Sequence, residues 1–168
     1  MAVRALASYV VGLAGVLALC VAGPAVSESA ATADSARQGP KVAAFVPRAS
    51  DDDRLRAAWA RWVKVRTPHY ATRVMRACEC PEQPIVRTEV RRGRLVSVRD
   101  VKQHSTLPWS QAKPMDRIFR LLRKGYRTAD AISVRYNKRG VPLFLVIDWS
   151  ELVADEETVL SVRARTGL

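Results

Sequence analysis

The order of apolar patterns along this chain predicts an α+β fold built from two successive αβββ units, an antiparallel sheet with both helices packed on one face. Two stretches, 53–66 and 115–124, repeat apolar residues at helical spacing, and each is followed by three short, alternating segments rich in β-branched residues. The segments are separated by Gly-, Asn- and Asp-bearing turns, which suit hairpins rather than long crossovers. No residue-level repeat relates the halves, so the duplication is one of architecture.

Ahead of the domain, Arg4 precedes an apolar run from Val10 to Val21, and small residues with Pro24 follow. That is the order of a secretory signal peptide. Ala25-Val26-Ser27 fits the small-x-small rule, so residues 1–27 are expected to be cleaved near Ser27, leaving a secreted or extracytoplasmic protein. The minor alternative is an uncleaved N-terminal membrane anchor, because the uncharged stretch 5–26 reaches the roughly 20 residues that span a bilayer. Leu19 stands before Cys20 where lipidation needs a small residue, which argues against a lipid anchor. Residues 28–53 are small, polar and aperiodic and are expected as a disordered tether, with 54–168 as a single domain.

Leu55, Ala58, Trp59, Trp62 and Val63 form the first apolar stripe, opposed by Arg54, Arg56, Arg61 and Lys64. Asp51 to Asp53 cap that helix and oppose its dipole, and Thr67-Pro68 stops it. Three strands are predicted at 70–78, 85–91 and 94–101, with Val86, Thr88 and Val90 on one face and Val96 sharing a face with Val98. Arg91-Arg92-Gly93-Arg94 turns between the last two, Gly93 being free to take positive φ. Met115, Ile118, Phe119 and Leu122 make the second stripe, with Pro114 in the first turn and Gly125 as its expected stop. Ile132, Val134 and Tyr136 open a fourth strand, Asn137-Lys138-Arg139-Gly140 turns it into 141–149, and 158–165 closes the set after the acidic turn Asp155-Glu156-Glu157. Trp59, Trp62, Ile118, Phe119 and Tyr136 are the expected helix-to-sheet core.

Charge is unevenly spread. Residues 54–127 carry 19 Lys and Arg against 5 Asp and Glu, whereas 128–168 carry 5 against 6. Such a lopsided field attracts polyanions. The basic positions are not interleaved with aromatics as single-strand nucleic-acid binding requires, and Arg outnumbers Lys 22 to 6, a skew that genome composition alone can produce.

Trp59, Tyr70, Cys78-Glu79-Cys80-Pro81, Gly93 with Val96, Phe119, the run from Tyr136-Asn137 to Gly140-Val141-Pro142, Asp148 and the acidic turn at Asp155 together resemble the exported bacterial proteins of domain-of-unknown-function family 6174. The resemblance spans 59–160; Asn137 stands where Asp is commoner and Pro114 where a Thr cap is usual, departures that touch only a turn and a cap. It implies export and a fold, and no reaction.

Cys78 and Cys80 are the cysteines left after cleavage, and an even count in an oxidising compartment favours a disulfide between them. Residues i and i+2 of a straight strand lie at the upper limit of bridging distance, so the bond requires the chain to bend there, as Pro81 and Pro84 permit. Free thiols and a redox couple are the alternatives. His69 and His104 complete a formal Cys-Cys-His-His set, but Cys-x-Cys is too tight for one tetrahedral zinc, and no metal or cofactor is expected. Asp148, Glu151, Asp155, Glu156 and Glu157 are the acid–base candidates, and no phosphate loop, nucleophile elbow or His-Glu-x-x-His accompanies them. The sequence is therefore read as an exported, non-catalytic binding domain that contacts anionic cell-envelope components, or a protein partner, through a basic surface. The contact surface is expected on the helix faces, at Arg56, Arg61, Lys64, Arg117, Arg120 and Lys124, or on the sheet's open face, with nucleic acid not expected as the partner. The alternative is a small secreted enzyme using Cys78 and Cys80 in redox chemistry, or the 148–157 carboxylates.

Overall fold

Asp52 begins the first helix by accepting the N–H groups of Arg54 at 2.8 Å and Leu55 at 3.1 Å, two of the donors that a helix start leaves unpaired. In the computed structural model, which describes residues 39–77, 83–150, 152 and 156–168, helix α1 runs Asp53–Val65 and helix α2 Met115–Thr128. Leu55, Ala58, Trp59 and Trp62 are buried on one side of α1, Trp62 to 1% exposure. Val63, expected in the same stripe, is 41% exposed.

Gly125 does not stop α2, which continues for another three residues. A Cβ there would lie 2.8 Å from Ile132 Cδ1 and 3.1 Å from Ile147 Cδ1, so the glycine lets the helix approach the sheet closely.

Six strands follow from the alternating segments: β1 His69–Ala77, β2 Val86–Arg91, β3 Arg94–Asp100, β4 Ala131–Tyr136, β5 Pro142–Asp148 and β6 Thr158–Thr166. They form one sheet in the order β3-β2-β1-β6-β5-β4, every neighbouring pair antiparallel. Each half is a meander, and the halves join where β1 meets β6 in the middle, Tyr70 opposite Thr166 through Ala77 opposite Val159. Because β1 is central and its counterpart β4 lies at an edge, the two αβββ units are not superposable repeats in topology.

Turn chemistry explains the hairpins. Arg92 and Gly93 take φ of +48° and +72° between β2 and β3, the paired left-handed residues of a two-residue turn that suits strand twist. Asn137 turns β4 into β5 by accepting the N–H groups of Arg139 and Val141 on its side-chain oxygen. Register shifts between Glu89, opposite Ser97, and Val90, opposite Leu95, so Val96 is the extra residue of a bulge. Val96 is accordingly 43% exposed while Val98 is 1%, which corrects the expectation that they share a face.

Tyr70, Val74, Val90, Val98, Leu145, Ile147 and Val162 project to the side covered by both helices. Trp59 meets Phe119 edge-on at 4.9 Å, Trp62 meets Tyr70 at 5.4 Å, and Tyr136 lies 6.5 Å from Phe119. Two fully buried threonines fix the approach to α2: the Thr72 hydroxyl donates to the Lys113 carbonyl at 2.6 Å, and the Thr88 hydroxyl accepts the Lys113 N–H at 2.8 Å.

The expectation of a disordered tether as far as residue 53 is corrected for its second half. Residues 40–51 form a strap that crosses from β3 to the start of α1. Pro40 accepts the Leu95 N–H, and Val42 donates to the Gly93 carbonyl. Phe45 is 3% exposed, edge-on to Trp59 at 4.9 Å and tilted against Phe119 at 5.5 Å. Helix α2 holds the strap from above: Asp116 accepts the Phe45 N–H at 2.9 Å, Arg120 donates to the Ala43 carbonyl at 2.6 Å, and Arg123 donates to the Val46 carbonyl at 2.6 Å and to both oxygens of Asp51. An aperiodic segment with one buried aromatic gives no helix or strand signal, which is why composition alone reads as disorder.

Candidate functional site

With both helices on one side, the other side of the sheet is open, and arginine dominates it. Arg99 on β3 lies opposite Arg87 on β2, Arg87 opposite Arg73 on β1, and Arg73 opposite Arg163 on β6. Four arginines thus form one row across four adjacent strands, a span of roughly 14 Å at the usual strand spacing. Like charges directly opposite each other destabilise a sheet, and guanidinium cannot relieve the repulsion by losing its proton. Glu89 bonds Arg87 at 2.8 Å and 3.1 Å and balances one of the four. Arg73, Arg99 and Arg163 form no ion pair among the described residues. Arg165 on β6 lies opposite Ala71 in the next row on one side, and Arg135 on β4 lies opposite Phe144 in the row of Met75 on the other.

The row borders an apolar strip. Met75, 43% exposed, and Phe144, 38% exposed, both lie opposite Ser161 on the same face. A shallow depression of about 130 Å³ lies beside Met75, lined by Arg73, Met75, Ile85, Ser161 and Arg163. It is a surface on which an extended ligand can lie, too shallow to enclose a substrate. On the covered side the Lys113 ammonium is held below the usual lysine range, first by burial and then by Arg117 and Arg76.

The helix faces are differently employed. Arg56 pairs with Asp53 on its own helix. Arg117 donates to the Ser110 carbonyl at 2.6 Å and the Ala112 carbonyl at 3.1 Å, Arg120 is bonded to the strap, and the Lys124 ammonium sits 4.5 Å from the Trp149 ring centre. Those contacts fasten loops and strap to the helices, leaving Arg61 and Lys64 on the solvent side of α1. The open-face row was readable in part: arginine alternates with buried residues at 72–74, 86–88 and 98–100 on three strands. What no local pattern contains is the pairing of β1 with β6, which completes the row with Arg163.

The remaining candidates are dispersed. Cys78, Cys80, Glu151 and Asp155 lie outside the described residues, so the disulfide expectation and part of the carboxylate set fall there. Asp148 ends β5 and accepts the Ser150 N–H at 3.2 Å, while Glu156 and Glu157 are exposed. His69 begins β1 with its Nδ1 2.6 Å from the Leu168 carbonyl, and His104 stands in the turn after β3 with φ of +54°. Among the described residues no three His, Cys, Asp or Glu side chains gather, and no helix is long and apolar enough to cross a membrane.

Comparison with protein-family models matches residues 54–166 to a model described as a family of unknown function, DUF6174. Comparison with curated proteins and with solved structures yields no match.

Proposed function

The chain belongs to the DUF6174 family, and from that premise we propose that it is an exported, non-catalytic binding domain whose open sheet face holds a linear polyanion of the cell envelope. The observation that carries this reading is the in-register row of Arg99, Arg87, Arg73 and Arg163. A fold selected for stability alone spaces like charges apart on a sheet, whereas a surface that meets an anionic polymer recovers the repulsion on binding. Guanidinium forks match phosphate and carboxylate oxygens, and the flat face accepts an extended chain. The leader at 1–27 favours an extracytoplasmic setting for the encounter.

The test is binding of a soluble poly(glycerol phosphate) to wild type and to Arg73→Ser, Arg163→Ser. The variant is expected to bind at least about tenfold more weakly at 0.1 M salt, with the slope of log affinity against log salt reduced by about 1.5. At the same time its Tm should rise slightly, since two opposed charges have been removed. Unchanged affinity, or loss of affinity together with loss of stability, rejects the row as a binding surface.

A further inference from the structure

On the helix side of the sheet, away from the arginine row, the strap does not fill the space beside it. A cleft of about 530 Å³ opens between it, the end of α1 and the β2–β3 turn, within the size range of small-molecule sites. The apolar part of its lining is Val42 from the strap and Val63 and Pro68 from the end of α1 and the segment after it, with the buried Val90 and Tyr70 side chains closing it from beneath. Val63 is exposed because its side of α1 faces this space and not the core.

Charge in the cleft is sorted by depth. Lys41, Arg66 and Arg92, one from each of the three walls, are exposed at its margin. At the bottom lies the buried Asp116 carboxylate, already satisfied: one oxygen accepts the Phe45 N–H at 2.9 Å and the other the Tyr70 hydroxyl at 3.3 Å. Burial first, and Asp116 second, push the Tyr70 phenol far above its usual range, so it remains a neutral donor to that carboxylate. A buried negative charge at the floor excludes an anionic head group from the interior, and three cations at the mouth attract one. The apolar walls between them suit an alkyl chain.

We propose that this cleft binds a free single-chain carboxylate amphiphile, its alkyl chain along Val42, Val63 and Pro68 and its carboxylate at Lys41, Arg66 and Arg92. The site shares no residue with the open sheet face.

Calorimetric titration of the full chain with decanoate, below its micellar concentration, is the test. One saturable site is expected, with decanol and decyltrimethylammonium binding at least about tenfold more weakly because neither offers an anion to the rim. Ala44→Trp, at an exposed strap position on the cleft wall, fills the space and should abolish saturable binding with the thermal transition retained. Arg66→Glu with Arg92→Asp should leave the cleft open and weaken decanoate by roughly tenfold, the Asp being tolerated at the left-handed position 92. No saturable site for decanoate, equal binding of the cationic amphiphile, or undiminished binding in either folded variant would overturn the proposal. If Ala44→Trp fails to fold, the charge-reversal variant and the head-group series decide alone.

Discussion

Removing the Arg123 side chain should release the strap while the rest of the domain stays folded. Arg123 grips Asp51 with Nε at 2.7 Å and Nη2 at 2.6 Å, reaches the Val46 carbonyl, and lies 4.2 Å over the Phe45 ring. The Asp51 side chain is 1% exposed and Arg123 14%, so the pair is shielded from water. Arg123→Ala leaves a buried carboxylate with only the Arg48 N–H as partner, at a cost of about 3 kcal/mol. Loss of the cation–π contact with Phe45 adds about 0.5–1 kcal/mol. For a domain of this size that lowers Tm by roughly 10–15 °C. Urea unfolding measures the loss, and limited proteolysis locates it, since cleavage should appear between residues 41 and 51. The pH dependence gives a second reading. Hydrogen bonding to Arg123 holds the Asp51 carboxyl below its usual range, against the opposing effect of burial, with the Arg48 N–H assisting. A carboxylate lowered in the folded state contributes stability above its unfolded pKa, and that contribution drains away as pH falls from about 5 through the folded value. The variant should show a flatter acid limb than wild type. A loss under about 1 kcal/mol with no new cleavage would refute this account and restore the strap to the status of a tether.

Two further expectations concern turns and cysteines. Gly140 and Gly93 both have positive φ, but a Cβ on Gly140 would lie 2.0 Å from the Ala58 carbonyl oxygen whereas one on Gly93 meets open space; Gly140→Ala should therefore cost about 3 kcal/mol and Gly93→Ala about 1 kcal/mol by thermal unfolding. In the Cys78–Cys80 pair, mass spectrometry of non-reduced, alkylated protein from an oxidising compartment should find both thiols blocked, and the double Cys78→Ser, Cys80→Ser variant should still fold, because so short a loop removes little denatured-state freedom. Two alkylated thiols, or an unfolded double variant, would contradict that reading.

Elements whose side chains report their own surroundings were legible from the sequence. Leu55, Trp59 and Trp62 repeat at helical spacing, and Val86, Thr88 and Val90 alternate, because a helix or strand with one buried face writes that face into its period. Phe45 has no such period, since the strap is held by side chains of α2 that are far away in sequence. The bulge at Val96 depends on pairing with β2, and the work of Gly125 depends on Ile132 and Ile147 arriving beneath it. The candidate surface divides the same way: the arginines of single strands are visible in sequence, but their alignment into a row is a property of register, and nothing local to Arg120 shows that it bonds the strap at Ala43.

The seam between β1 and β6 has a consequence for the order in which this domain comes into being. The first strand made is completed by the last, so the centre of the sheet is empty until residues 158–166 exist. Until then β1 presents its inner edge as an open ladder of unpaired backbone groups. Pairing across nearly the whole length of the domain also makes closure slow, since the ends must find each other before any contact rewards the search. The sheet of this domain thus stays open at its centre until residues 158–166 have been made, and only their pairing with β1 joins the two meanders.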